Sequence, residues 1–262
     1  MEDAEVAIAI VESGAEVVRR RFGTAMARID KGGGDFATTA DVESEAAMFR
    51  VVRAKRPVDA VLGEESGRAG GTDDSRVWLI DPLCGTLNYA AGMRVVAVNA
   101  ALRAASGILA AAVADPFTEE VFWADGQSAH VRTDGRDVRL VPSAESRLVD
   151  LNFDPPFPSD PAFRAVALAA DPEFVASFRP RVVSTSLALT WVATGGRAAY
   201  ITDGDVRDSV HFAAGVAICE AAGCSISGLH GEAWDKGPDG LVAAADRDTH
   251  AALLRLVRKQ RD

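Results

Sequence analysis

The sequence predicts a mixed α/β (α+β) chain, on three observations. Two amphipathic helical patterns open it, a series of short apolar runs divided by turn dipeptides follows, and the second half alternates helical patterns with short strands. The dipeptides Ser106-Gly107, Asp125-Gly126 and Asp134-Gly135 join runs at 95–103, 108–114, 120–124 and 129–132, which reads as an antiparallel meander. At 262 residues there is room for one large core or two lobes. We expect an N-terminal α+β lobe at 1–142, holding the meander and the main polar motifs. A C-terminal α/β lobe at 143–262 is expected to close an active-site cleft, the boundary falling where Pro, Ser and Asp accumulate.

In the first helix Val6, Ile10, Val17, Val18 and Phe22 fall near helical spacing, with acids first and Arg19-Arg20-Arg21 last, as the helix dipole favours. Gly23 ends it, and 31–41 reads as a flexible polar loop. The second helix places Val42, Ala46, Phe49 and Val52 on its apolar face and stops at Pro57. Ala60-Val61-Leu62 then forms a short strand that releases the chain at Gly63-Glu64-Glu65-Ser66-Gly67, a tight turn exposing carboxylates. Next, the apolar run Val77-Trp78-Leu79-Ile80 delivers Asp81 to its own end. There Gly85-Thr86 opens a short helical segment whose backbone N–H groups are free for an anion. That is a layout for metal plus phosphate, with Cys84 a soft ligand where a hard-metal site would want oxygen.

Beyond the boundary, helices are expected at 162–170, 187–194 and 208–222, the last N-capped by Asp208 with Phe212, Val216, Cys219 and Ala222 on its apolar face. Strands are expected at 198–201 and 241–245, and a final helix at 248–259 capped by Asp248 and ending on Arg258-Lys259.

Composition narrows the function. Hydrophobic content of 48% and charged content of 25% are those of a globular protein, and a net charge of −10 disfavours nucleic acid and anionic membranes as partners. No apolar run approaches the ~18 residues of a membrane span. Segment 2–22 runs from acids to arginines, the reverse of a signal peptide. Three cysteines form no disulfide framework, so the expected location is cytoplasmic.

Three polar clusters remain: Asp35…Asp41, Glu64-Glu65 and Asp81…Thr86. Each alone reads as a helix cap or solvated turn. In this order they resemble the inositol monophosphatase superfamily, whose signature runs Gly-Glu-Glu, then Trp-Ile-Asp-Pro-Leu-Asp-Gly-Thr-Thr-Asn-Phe. Asp35-Phe-Ala-Thr-Thr-Ala-Asp41 is similar to the family's Asp-x-Val-Thr-x-x-Asp, and Ala213-Ala214-Gly215 with Glu220-Ala-Ala-Gly223 to the body of its C-terminal motif. The resemblance covers essentially the whole chain. It implies a layered α/β/α/β/α sandwich, commonly a homodimer, and a hydrolase that cleaves a small phosphorylated metabolite (an inositol phosphate, sugar phosphate or nucleotide) by attack of a metal-bound water.

Carried over by position, the resemblance gives Glu64, Asp81 and the carbonyl of Leu83 to a first metal, Mg²⁺. Thr86 and Glu64 orient the water, Asp41 assists a more loosely held ion, and the N–H groups of Gly85 and Thr86 hold phosphate oxygens. Family members bind a second metal through three aspartates, and here two of the three differ. Cys84 occupies one position, and Val210-His211 stands where the family has Trp-Asp. Losing two carboxylates removes roughly two negative charges from that site, against the oxygen preference of Mg²⁺. Three readings stay open: a site rebuilt from Asp81, Cys84 and His211 for Zn²⁺ or another transition metal; an empty second site with slow hydrolysis; or lost chemistry, leaving a phosphate-ligand binding or interaction protein. The first expects Cys84 Sγ and a His211 ring nitrogen beside the Asp81 carboxylate, and places His211 in the first turn of its helix. Asp208 is a substitute carboxylate in the same region, and 203–207 corresponds to the segment that approaches the substrate's organic part in relatives.

Overall fold

The computed structural model describes residues 2–25, 27–32, 35–71, 74–153, 164–204, 206–207, 209–236 and 240–260. Its chain forms two units. The first comprises Met1–Arg139 together with Thr185–Leu187 and Val210–Ile218, and the second the remainder.

The first unit begins with α1 (Asp3–Arg21), whose buried side chains include Val6, Ile10, Val17 and Val18, as the spacing predicts. Residues read as a flexible loop instead form a hairpin, β1 (Arg28–Gly32) and β2 (Asp35–Thr38), paired antiparallel. Strand β1 is exposed throughout, so no apolar alternation marks it in the sequence. Helix α2 (Thr39–Lys55) follows without a gap, closed by a capping box between Thr38 and Asp41. Its buried face matches the expected one only in part: Val52 is buried and Phe49 packs against the core, but Asp41, Ser44, Glu45 and Met48 also turn inward, while Ala46 is exposed and Val42 is 43% exposed. Three polar side chains hold that face because backbone and side-chain groups await them inside.

Strands β3 (Ala60–Gly63), β4 (Gly67–Gly70) and β5 (Arg76–Cys84), the short α3 (Thr86–Ala90), then β6 (Ala97–Ala104), β7 (Gly107–Ala114), β8 (Val121–Ala124), β9 (Ala129–Thr133) and β10 (Arg136–Arg139) complete the unit. The strands form one eight-stranded sheet in the order β10-β9-β8-β7-β6-β5-β3-β4. The meander from β6 to β10 is antiparallel, and β3 lies parallel to β5. Helices α1 and α2 cover the sheet. Ile10, Val11, Met48 and Val52 pack with Trp78, Ile80, Val98, Leu102 and Ala112 in one core.

The second unit opens with β11 (Leu148–Leu151), α4 (Ala165–Ala170), α5 (Pro172–Ser177) and β12 (Arg179–Val182). It continues with α6 (Leu187–Ala193), β13 (Ala199–Thr202), α7 (Ala213–Ala222), β14 (Ser225–Ser227), β15 (Leu241–Ala244) and α8 (Arg247–Lys259). A five-stranded mixed sheet runs β12-β11-β13-β15-β14, with β11 parallel to both neighbours. Strand β11 was hidden in the sequence because Asp150 interrupts its apolar run. That carboxylate is fully buried, and Arg197 Nε reaches its two oxygens at 2.9 and 3.0 Å. Helix α8 is N-capped by Asp246, which accepts from Thr249 N at 2.7 Å, and not by Asp248. Among the described residues no helix is long and apolar enough to cross a membrane.

Candidate active site

The site is built on the end of β5. Val77 to Leu83 are buried, and Pro82 lacks the N–H that would continue a regular ladder. The pairing with β6 slips there: Asp81 lies opposite Asn99 and Cys84 opposite Ala97, three steps along one strand against two along the other. Asp81 is fully buried at this bulge. Its Oδ1 accepts from Leu83 N at 3.0 Å, and its Oδ2 accepts from Asn99 Nδ2 at 3.1 Å and lies 2.8 Å from His211 Nδ1. Gly85 then takes φ 102° and ψ 39°, a left-handed conformation that suits glycine, and turns the chain into α3.

Asp41 serves two elements at once. Its Oδ2 accepts from Thr38 N at 2.8 Å, closing the first turn of α2, while its Oδ1 accepts from Thr86 Oγ1 at 3.0 Å. The Thr86 hydroxyl also lies 3.1 Å from the carbonyl of Leu83. Burial pushes the Asp41 carboxyl up, against the Thr38 and Thr86 hydrogen bonds that favour its charge.

The Gly63–Gly67 turn is held from beneath by Glu45 on α2. Its two carboxylate oxygens accept from Glu65 N and Ser66 N, each at 2.9 Å. A side chain at position 63 would put its Cβ 2.3 Å from Glu45 Oε2, so any residue but glycine would push that carboxylate off the turn it holds. Above the turn, Lys31 Nζ reaches Glu64 Oε1 at 3.1 Å and Glu65 Oε1 at 2.7 Å. The other Glu64 oxygen, Oε2, is buried without a hydrogen-bond partner and sits 3.8 Å from His211 Nδ1. Burial and the nearby Asp81 carboxylate push Glu64 up to about 8, the result expected of two buried acids competing for limited positive charge.

Cys84 and His211 complete the cluster. The ligating atoms of Asp81, Cys84 and His211 all lie within 4.8 Å of one another. Cys84 Sγ accepts from Ser186 N at 3.2 Å, and Ser186 Oγ donates to Asn99 Oδ1 at 2.8 Å, so one chain of hydrogen bonds runs from the sulfur to the Asp81 carboxylate. Burial and the Asp81 charge push the Cys84 thiol up. Burial opposes charge on the His211 ring, but the Asp81 carboxylate outweighs it and holds that ring well above its ordinary value.

Two donor sets separate by chemistry. Glu64, Asp81 and the Leu83 carbonyl offer hard oxygens, and the unpartnered Glu64 Oε2 is the orphan a cation would satisfy. Asp81, Cys84 and His211 offer oxygen, sulfur and nitrogen.

Of the residues expected from the sequence, Asp41 meets Thr86, and Glu64, Asp81, Cys84 and His211 converge. His211 differs in one respect: it lies in the turn before α7, which begins at Ala213. Asp208 lies outside the described residues. In 203–207, Asp203 is buried and committed to the start of α4, where it accepts from Ala165 N at 2.8 Å. Sequence reasoning missed Glu45, Lys31, Asn99 and Ser186. Glu45, one helical turn after Asp41, carries the one readable signal, since two acids at that spacing share a helix face.

Known proteins place this geometry in a lineage. The model of the inositol monophosphatase family matches residues 1–262. An inositol-1-monophosphatase of Caulobacter vibrioides is 32% identical over 234 residues, covering 87% of this chain and 89% of that protein. A protein of Vibrio cholerae named Nus factor SuhB is 29% identical over 228 residues, covering 86% and 84%. Among solved structures, the extragenic suppressor protein suhB of Bartonella henselae superposes with a TM-score of 0.85 at 23% identity, covering 97% of this chain and 98% of that one. An IMPase of Thermotoga maritima gives 0.82 at 18%, covering 99% and 98%. With the α+β fold shared across the structures and the family model matched from end to end, this chain belongs to the inositol monophosphatase family, a family of metal-dependent phosphatases.

Proposed function

We infer that this chain is a metal-dependent phosphomonoesterase acting on a small phosphorylated metabolite, an inositol phosphate, sugar phosphate or nucleotide. The observation that carries the reading is the Asp41–Thr86 hydrogen bond at 3.0 Å, in the same unit as the buried carboxylates Glu64 and Asp81. A Thr86 hydroxyl that donates to Asp41 keeps its lone pairs free to accept a hydrogen bond from water, which turns the water's own lone pair toward phosphorus. Glu64 helps orient that water. The N–H groups of Gly85 and Thr86 take phosphate oxygens at the left-handed turn.

Glu64, Asp81 and the Leu83 carbonyl fit a Mg²⁺ ion, which when bound stabilises negative charge on the phosphoryl oxygens. The reading includes a homodimer and a cytoplasmic location, as for the family. It excludes nucleic acid as a substrate because the net charge of −10 repels phosphate polymers.

A second reading, a phosphate-ligand binding or interaction protein, has support from Cys84 and His211, which stand at two positions where the resemblance to the family signature implies aspartate. The relative named Nus factor SuhB points the same way. The two readings separate on release of inorganic phosphate from a panel of inositol phosphates, sugar phosphates and nucleotides under Mg²⁺, Mn²⁺ and Zn²⁺. The enzyme reading expects release from at least one substrate with at least one ion. Silence across the whole panel leaves the binding protein.

A further inference from the structure

The geometry points to a second metal position in this chain, formed by Asp81, Cys84 and His211, that takes Zn²⁺ or a similar borderline-soft transition ion in preference to Mg²⁺. The inference deepens the phosphatase reading and rests on the same site. Its support is the arrangement of donors. Bond lengths of about 2.0–2.3 Å to nitrogen, oxygen and sulfur put the ligands of one tetrahedral zinc roughly 3.3–3.7 Å apart. The three ligating atoms here already lie within 4.8 Å of one another, one from each residue type. Thiolate with imidazole selects zinc-like ions, whereas Mg²⁺ demands near-octahedral oxygen.

The surroundings are those of a built site. Ligands in metal centres are held by outer hydrogen bonds that fix their orientation. Here Leu83 N and Asn99 Nδ2 fix the Asp81 carboxylate, Ser186 N donates to the Cys84 sulfur, and Ser186 Oγ locks Asn99. Binding displaces the direct His211–Asp81 contact and releases the thiol proton of Cys84 to solvent.

The test uses the metal-stripped full-length chain with no substrate present, so that it reads the site and not the catalysis. The probes are Zn²⁺, Co²⁺ and Mg²⁺ alone. We expect one Zn²⁺ per chain retained through gel filtration and a near-ultraviolet sulfur-to-cobalt charge-transfer band with Co²⁺. Cys84 should be protected from alkylation by Zn²⁺ and not by Mg²⁺, with Cys224 as the internal reference. Cys84→Ser should abolish the band and weaken Zn²⁺ binding by more than the roughly 10–100-fold typical of a lost outer partner. Should that variant fail to fold, the band and the protection pattern of the unaltered chain decide the matter. Absence of the charge-transfer band, or alkylation of Cys84 undiminished at saturating Zn²⁺, overturns the assignment. Phosphate release with Mg²⁺ but no band removes the soft site and leaves the phosphatase reading standing, and a band with no phosphate release under Mg²⁺, Mn²⁺ or Zn²⁺ leaves the site and removes the enzyme.

Discussion

His211 Nδ1 lies 2.8 Å from Asp81 Oδ2, joining a turn late in the chain to a fully buried carboxylate 130 residues earlier. The contact brings a nitrogen donor onto the carboxylate that the candidate first metal position also uses. It ties two chemistries, hard and soft, to one side chain.

Replacing both soft donors should therefore change the ion and not the fold. Cys84→Asp with His211→Asp restores two carboxylates, and ligand charge count moves affinities for hard ions by orders of magnitude. We expect the half-saturating Mg²⁺ concentration to fall roughly tenfold or more, with loss of the Zn²⁺ retained by the unaltered chain. Isothermal titration with each ion measures both changes. Unaltered metal preference would count against the soft site.

Thr86 acts through its hydroxyl. Thr86→Val removes the donor to Asp41 and the acceptor for water while keeping the shape, and should lower kcat by about 10²–10⁴-fold, the range of a lost proton-handling group. Thr86→Ser should retain most of the activity. The comparison is made on kcat at saturating substrate, and equal losses in the two variants would show that the hydroxyl is not what matters.

Glu45 positions the Gly63–Gly67 turn without being a ligand. Its carboxylate accepts from two backbone N–H groups, and hydrogen bonds to charged groups contribute about 1.5–3 kcal/mol each. Glu45→Ala should cost about 3 kcal/mol or more in urea unfolding, and Gly63→Ala about 1–3 kcal/mol by overpacking against the same carboxylate. A neutral result for both would mean that the turn holds itself.

Away from the site, Asp171 sets part of the acid limb of stability. The Phe174 N–H it caps and the Lys259 ammonium hold its carboxyl below the usual range. A carboxyl lowered in the folded state stabilises above its unfolded value of about 3.9 and loses that contribution as pH falls through the folded value. Asp171→Ala should lower Tm near neutrality and leave Tm less dependent on pH below about 4. Melting curves across pH 2–7 check it, and parallel curves for the two proteins would contradict it.

Much of this was legible in the residues themselves. Asp41, Glu64, Gly85 and Thr86 sit where elements begin or end, marked by turn chemistry, whereas the run that ends on Asp81 in the sequence continues as strand to Cys84 and leaves Asp81 at a bulge. The partners that hold them were not legible, because they lie inside regular elements. Glu45 and Ser44 look like the solvent face of α2, and only the turn and the Pro82 carbonyl that they bind reveal that this face is internal. Lys31 sits on an exposed strand with no apolar pattern, and Asn99 stands alone in an apolar run. Periodicity reports where water is, and it misreads a polar side chain whose partner is the protein.

Phosphate release by this chain and its Glu64→Gln variant, measured side by side over small phosphomonoesters with Mg²⁺ alone and with Zn²⁺ added, tests the phosphatase reading most directly. The expected release requires a divalent cation and falls at least about 100-fold in Glu64→Gln. Release that is equal in both proteins, or absent from the unaltered chain with every ion and substrate, would contradict that reading.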